Sequence, residues 1–126
     1  MSGSLFYWEE SKMKHTCPVC GFKGLAEPPY DHEGNHSHEI CPCCGFQFGF
    51  DDYEMQHEDG SYLEPSESII AYRKNWLAEG CVIFSPECFP KHLQKANEVL
   101  RHHLIEQLKQ INVASPLSRH LPPAYE

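Results

Sequence analysis

The sequence predicts a small α+β fold, with short antiparallel β-hairpins in its first half and two α-helices in its second half. The first half contains the string Cys-Pro-x-Cys-Gly-Phe twice, beginning at Cys17 and again at Cys41. The second half contains two segments in which apolar residues recur every three to four positions, which indicates helices with one buried face. With 126 residues, of which 40% are hydrophobic, the chain can bury only a modest core.

The repeated string has the spacing of a four-sulfur metal site. Two residues separate Cys17 from Cys20 and Cys41 from Cys44, and twenty residues lie between the two pairs. Two residues between cysteines let one tight turn direct both sulfur atoms at one ion. Proline fixes φ after the first cysteine of each pair, and glycine permits a positive φ after the second. We therefore predict a zinc ribbon in which these four cysteines bind one ion, and two unconnected turns with free thiols are the alternative.

The cysteines could instead form disulfide bonds. The chain has seven cysteines, an odd number, and its N-terminus lacks the basic start and apolar stretch of a signal peptide. Its sequence also lacks an apolar run of the roughly 18 residues that a membrane span needs. We therefore predict a cytoplasmic protein in which the thiols stay reduced and available to a metal.

Four thiolates suit zinc, and they also suit iron in a rubredoxin-type site. Zinc is expected because it is the usual ion of a closed structural site. Beyond the two cysteine pairs the chain does not resemble a rubredoxin, since the second pair leads into a helix-rich half. Iron remains the alternative.

The other three cysteines have open roles. Cys43 takes the place of Val19 when the two strings are aligned, so we expect it to point away from the ion as a small, partly exposed apolar residue. A reactive thiol is the alternative for Cys43. Cys81 and Cys88 could form a second metal site with His92, whereas a buried Cys81 among apolar neighbours is the simpler interpretation.

The segment between the cysteine pairs, residues 23–40, is expected to form a strand, a loop and a return strand. Its loop carries His32, His36 and His38 among carboxylates, which could make a second metal site, although a solvated polar loop is the simpler interpretation. Residues 47–50 alternate polar and aromatic side chains, which is typical of a strand.

Two helices are predicted after residue 62. The first has Pro65 in its first turn, or Ser66 or Ser68 as its cap, and it stops at Gly80, with Trp76 in the core. The second spans residues 90–111 and needs a partner for its apolar face, so a homodimer through the helix 90–111 is an alternative to packing within the chain. Its apolar positions are Leu93, Ala96, Leu100, Leu104, Leu108 and Ile111.

These segments predict the domain organisation. Residues 13–62 are expected to form the zinc-ribbon module, and residues 63–126 a helical segment packed on it in one compact unit. Residues 1–12 are expected to be a leader outside that unit.

Part of the chain resembles a known family. The stretch CPVCGFKGLAEPP…HEICPCCGFQFGFDD, followed by SIIAYRKNWLAEGC, is similar to the bacterial cysteine-rich CPCC proteins over residues 15–81. In that family the CPCC string commonly occupies the first pair, whereas here it occupies the second. The resemblance implies a metal-binding ribbon and no particular reaction, and an accessory or immunity-type role is the hypothesis that it suggests.

Composition and motifs restrict the function. The net charge of −8, with only ten lysines and arginines, argues against nucleic-acid binding, because phosphate contacts need a basic face. Four thiolates leave no open position for catalysis, so an enzyme is not expected, and a thiol redox role for Cys43 is the one enzymatic alternative. We expect a structural zinc protein that binds a protein partner. Rubredoxin-like electron transfer and zinc-ribbon nucleic-acid binding are the alternatives.

Overall fold

The structure is a computed structural model that describes residues 14–113. The expected leader at residues 1–12 and the C-terminal part of the expected helical segment, residues 114–126, lie outside the described residues. The architecture is mixed α+β, with three α-helices and one two-stranded antiparallel sheet in the described part. The elements, in chain order, are α1 (Asp51–Glu54), α2 (Pro65–Ala78), two 3₁₀ turns (Pro86–Cys88 and Lys91–Leu93), β1 (Gln94–Lys95), β2 (Glu98–Val99) and α3 (Arg101–Gln110).

The prediction of strands at residues 23–40 and 47–50 is wrong. The backbone pairs there only at isolated positions, for example between His15 and Leu25 and between Ile40 and Gln47. Each of these bridges flanks one Cys-x2-Cys turn, whose own hydrogen bonds occupy the neighbouring backbone groups. After residue 47 the chain turns directly into α1, so the alternating aromatic residues pack in a turn and not in a strand.

Helix α2 agrees closely with its prediction. It begins at Pro65 and ends at Ala78, and Gly80 follows with a φ of +101°, a value that favours glycine at a helix end. The backbone N–H of Glu64 donates to the carboxylate of Glu67 at 2.9 Å, which satisfies one group at the N-terminus.

The core side of α2 contains Trp76, as predicted. Its side chain is 4% exposed, and its Nε1 donates to the Val82 carbonyl oxygen at 2.9 Å. On the same side, the buried hydroxyl of Ser68 donates to the Asp52 carbonyl oxygen at 3.3 Å and so joins α2 to α1.

The second helix is much shorter than the predicted 90–111. Only Arg101–Gln110 is α-helical, and the preceding residues form a 3₁₀ turn and a hairpin in which Gln94 pairs with Val99. Ala96 and Asn97 make the two-residue turn with φ values of 54° and 63°, which match a type I′ turn. Asparagine adopts such angles readily, whereas alanine rarely does, so the sequence favoured a helix where the structure has a turn.

The hairpin is held by the segment that follows α2. Val82 forms an antiparallel bridge with Glu98, and the N–H of Ile83 donates to the Asn97 carbonyl oxygen at 2.8 Å. This pairing brings α3 back over the first half of the chain. There Leu104 and Leu108, 2% and 0% exposed, join the core formed around the cysteine turns. None of the helices in residues 14–113 has the length and apolar character needed to cross a lipid bilayer.

Candidate metal centre

The first Cys-Pro-x-Cys-Gly-Phe string, residues 17–22, folds as a tight turn that we call the first knuckle. The N–H of Cys17 donates to the Phe22 carbonyl oxygen at 2.8 Å, and the N–H of Gly21 donates to the Cys17 carbonyl oxygen at 2.9 Å. Gly21 has a φ of +84°, and a β-carbon there would overlap the carbonyl oxygen of Gln107 in α3. Glycine is therefore required at this position both by its backbone conformation and by the close approach of the helix.

The second knuckle, residues 41–46, repeats this geometry. The N–H of Cys41 donates to the Phe46 carbonyl oxygen at 3.0 Å, and the N–H of Gly45 donates to the Cys41 carbonyl oxygen at 2.8 Å. Gly45 has a φ of +83°, one degree from the corresponding glycine of the first knuckle. The sequence repeat is thus a structural repeat, as the spacing predicted.

The two knuckles bring four sulfur atoms together. The Sγ atoms of Cys17, Cys20, Cys41 and Cys44 all lie within 4.8 Å of one another, and all four residues are buried. The Cys17–Cys44 and Cys20–Cys41 sulfur pairs are 3.8 Å and 3.7 Å apart, too far for disulfide bonds. A tetrahedral site with metal–sulfur bonds of about 2.3 Å has sulfur–sulfur edges of about 3.8 Å. The cluster therefore fits a metal ion, and zinc and iron fit it equally.

The electrostatics of the cluster also favour a cation. Burial raises the pKa of the Cys20 and Cys44 thiols, and hydrogen bonding with Cys17 raises it further. Burial opposes ionisation of Cys41 as well, but hydrogen bonds with neighbouring thiols lower its pKa overall. Four thiolates in this volume need a positive ion among them.

Side chains of α2 hold the backbone of both knuckles. The guanidinium of Arg73 donates to the Val19 carbonyl oxygen at 2.7 Å and to the Pro18 carbonyl oxygen at 2.9 Å. The hydroxyl of Tyr72 donates to the Cys44 carbonyl oxygen at 3.0 Å. Burial lowers the pKa of Arg73, whereas the charges of the neighbouring cysteines oppose that change. Arg73 therefore places a positive charge beside sulfurs whose combined charge is negative once they ionise.

A third contact comes from α3. The Gln107 side chain is 3% exposed, and its Nε2 donates to the Cys20 carbonyl oxygen at 2.9 Å. Sequence reasoning missed Gln107, Tyr72 and Arg73 as supports of the centre. The available signal was Arg73, a charged residue that recurs at helical spacing with the apolar Ile69, Trp76 and Leu77.

Cys43 differs from its expectation. It is not one of the four clustered cysteines, but its thiol is close enough to hydrogen-bond with that of Cys20, and it is 0% exposed and not partly exposed. Its sulfur lies 3.7 Å from Nε2 of Gln107. Cys43 is buried because α3 covers this side of the second knuckle, and the predicted longer helix did not show how α3 would pack there.

The structure does not assemble either of the expected alternative metal sites. Within residues 14–113, the four cysteines are the only set of three or more His, Cys, Asp or Glu side chains whose ligand atoms come together in this way. Cys81 is buried and Cys88 is exposed, so these two do not share a site with His92. In the histidine-rich loop, the rings of His36 and His38 meet edge to face, with 5.1 Å between their centroids. No third side chain joins them to form a metal site within residues 14–113.

The fold and the site define a small α+β protein with a buried four-cysteine centre. The chain belongs to the family of the Bacillus subtilis (strain 168) proteins YhgB, YoaQ and YozI, each of which is described as an uncharacterized protein. It is 59% identical to YhgB over 104 residues, which cover 82% of this chain and 99% of YhgB.

The identities to YoaQ and YozI are 39% over 105 residues and 32% over 106 residues. Each alignment covers 79% of this chain, together with 87% of YoaQ and 86% of YozI. The comparison with protein-family models found no match, and no solved structure matches the chain. The relatives therefore show the family and do not supply an activity.

Proposed function

We propose that this protein is a structural zinc protein in which Cys17, Cys20, Cys41 and Cys44 bind one zinc ion. The observation that supports the proposal is the set of four buried sulfurs within 4.8 Å of one another, contributed in pairs by two knuckles of the same geometry. Four protein ligands complete the coordination of zinc, so the ion would join the knuckles without taking part in a reaction.

A zinc ion at this site would stabilise the fold of a small domain. A structural zinc contributes an apparent free energy of roughly 10–16 kcal/mol, comparable to the 5–15 kcal/mol by which whole domains are stable. Residues 14–62 have isolated backbone bridges and one four-residue helix, so regular secondary structure contributes little to the stability of this described stretch. A shared ion would hold this stretch in a single arrangement.

We further propose that the protein acts in the bacterial cytoplasm as a protein-interaction or accessory module. The net charge of −8 supports a partner with a basic surface and argues against nucleic acid. The resemblance to the cysteine-rich CPCC proteins supports an accessory, immunity-like role. The closed four-sulfur set supports a role other than catalysis.

Metal analysis of freshly purified protein tests the zinc proposal. Protein produced without added metal and purified under reducing conditions should contain about one zinc per chain. It should lack visible absorption and should not respond to dithionite, whereas iron bound to thiolates absorbs in the visible range and bleaches on reduction. Iron at full occupancy would replace this proposal with rubredoxin-like electron transfer. A compact protein without metal, or with its four cysteines in disulfides, would refute it.

A further inference from the structure

Cys43 is a fifth buried sulfur beside the four-cysteine cluster. It precedes a cluster residue in the second knuckle, and its thiol is close enough to hydrogen-bond with that of Cys20. The equivalent position of the first knuckle is occupied by Val19, and both side chains are 0% exposed. An apolar side chain therefore satisfies the packing at this position, so burial alone does not account for a thiol.

The backbone of Cys43 is held in place, whereas its side chain can rotate. The N–H of Phe84 donates to the Cys43 carbonyl oxygen at 2.9 Å, and the N–H of Ser85 donates to the Pro42 carbonyl oxygen at 2.8 Å. These hydrogen bonds hold the two peptide groups that flank the Cys43 α-carbon. Rotation between staggered rotamers of the side chain then moves the sulfur without moving the knuckle.

A hydrogen-bond donor from α3 accompanies the Cys43 sulfur. Nε2 of Gln107 lies 3.7 Å from this sulfur and donates to the Cys20 carbonyl oxygen at 2.9 Å. The amide nitrogen carries two hydrogens, so it can donate to both atoms. Such a donor stabilises a sulfur that ligates a metal, because ligating cysteines carry negative charge. Cys43 therefore has both the position and the surroundings of a ligand.

We propose that Cys43 is a reserve ligand of the metal centre, whose sulfur replaces that of Cys20 on the ion. This inference rests on the proposed metal-binding function. In the exchange, the bond between the ion and the Cys20 sulfur breaks, a bond to the Cys43 sulfur forms, and the Cys43 proton passes to Cys20. The number of bound thiolates and the net charge stay the same, so no further reactant is needed. Cys17 would then be the one ligand from the first knuckle, and the exchange would loosen that knuckle.

Cobalt(II) in place of zinc is the probe, because the intensity of its sulfur-to-metal charge-transfer absorption grows with the number of bound thiolates. The reduced, full-length protein is exchanged into cobalt, and the absorption per bound ion is measured. We expect the unmodified protein and Cys20→Ser to bind one cobalt each with equal absorption, because Cys43 supplies the fourth thiolate in the variant. Cys20→Ser/Cys43→Ser should absorb about one quarter less, since three thiolates remain.

Further variants locate the effect. Cys17→Ser should absorb about one quarter less, because the reserve sulfur is beside Cys20. Cys20→Ser/Cys81→Ser removes a different buried thiol and should absorb as much as Cys20→Ser. Cys20→Ala repeats the test without placing a hydroxyl in the core.

The outcomes separate this proposal from the metal-binding function on which it rests. Reduced absorption or no cobalt binding in both Cys20→Ser and Cys20→Ala overturns the reserve ligand, as does full absorption in Cys20→Ser/Cys43→Ser. Full absorption in Cys17→Ser overturns the specific exchange with Cys20. Unmodified protein that binds no cobalt, or binds it without four thiolates, would instead refute the four-cysteine metal centre itself.

Discussion

At the scale of single residues, Cys41 and Cys43 are two positions apart but lie in different environments. The Cys41 sulfur is part of the four-sulfur cluster, whereas the Cys43 sulfur is buried beside Gln107. Cys41→Ser should lower the metal content well below one ion per chain and unfold the knuckles, because one missing thiolate opens the coordination shell. Cys43→Ser is the matched control and should retain about one ion per chain, measured by elemental analysis. Loss of metal from Cys43→Ser alone would contradict the assignment of ligands.

Cys81 and Cys88 should differ in reactivity. Burial, with a further contribution from Cys43 and Glu98, raises the pKa of the Cys81 thiol to about 12, whereas Cys88 is exposed. Because the thiolate is the form that reacts, iodoacetamide at about pH 8 should alkylate Cys88 and leave Cys81 unmodified in the folded protein. Peptide mass spectrometry measures both sites. Equal modification of the two would show that the segment after α2 opens readily.

Arg73 offers a third residue-scale prediction. Two different nitrogens of its planar guanidinium donate to two carbonyl oxygens of the first knuckle, and the compact ammonium of lysine lacks this fixed fork of donors. Arg73→Lys keeps the positive charge but should weaken metal retention by roughly tenfold in competition with a chelator, as is usual for supports of metal ligands. Lys74→Ala, at the exposed neighbouring position, is the control and should have no effect. Unchanged retention in Arg73→Lys would mean that its charge alone matters.

At the scale of elements, the turn between β1 and β2 is the feature that the sequence did not indicate. Ala96 adopts a φ of 54°, which costs free energy for any residue with a β-carbon. Ala96→Gly should therefore raise the free energy of unfolding by about 0.5–1 kcal/mol, measured by denaturant titration of the metal-loaded protein. Ala71→Gly makes the same exchange inside α2 and is the control. It should lower the free energy of unfolding by about 1 kcal/mol, because glycine is unfavourable inside a helix. A loss of stability in Ala96→Gly would indicate that this segment is helical, as the apolar pattern first favoured.

The helices show how far local patterns reach. α2 has a proline at its first position, a glycine just past its end and a core tryptophan, so its limits followed from local chemistry. The apolar pattern of α3 extends towards the N-terminus, into the residues before Arg101. Residues 94–99 in that stretch form a hairpin instead of a helix. The pairing partner of that hairpin is the segment at Val82, which no local pattern could reveal. Tertiary contacts therefore decided where α3 begins.

At the scale of the whole molecule, the helices and the knuckles depend on each other. Arg73 and Tyr72 of α2 and Gln107 of α3 donate to carbonyl oxygens of the knuckles, and Leu108 packs in the same core. Removal of the ion by a strong chelator should therefore unfold the helices together with the knuckles. Far-ultraviolet circular dichroism, and the fluorescence of a Trp8→Phe variant in which Trp76 is the remaining tryptophan, should change in a single transition and recover when zinc is returned. Helices that keep their signal after chelation would show that the second half is stable by itself.

The sequence by itself determined the four-cysteine cluster, the matching geometry of the two knuckles and the limits of α2. These features depend on neighbouring residues: two positions between cysteines, a glycine with a positive φ, and helix-end residues. Only the tertiary structure decided the burial of Cys43, the start of α3 and the contacts of Arg73, Tyr72 and Gln107 with the knuckles. Those features arise from groups that are far apart in the chain, such as Gln107 and Cys20 at a separation of 87 residues. Their free energy depends on packing that no local window of sequence contains.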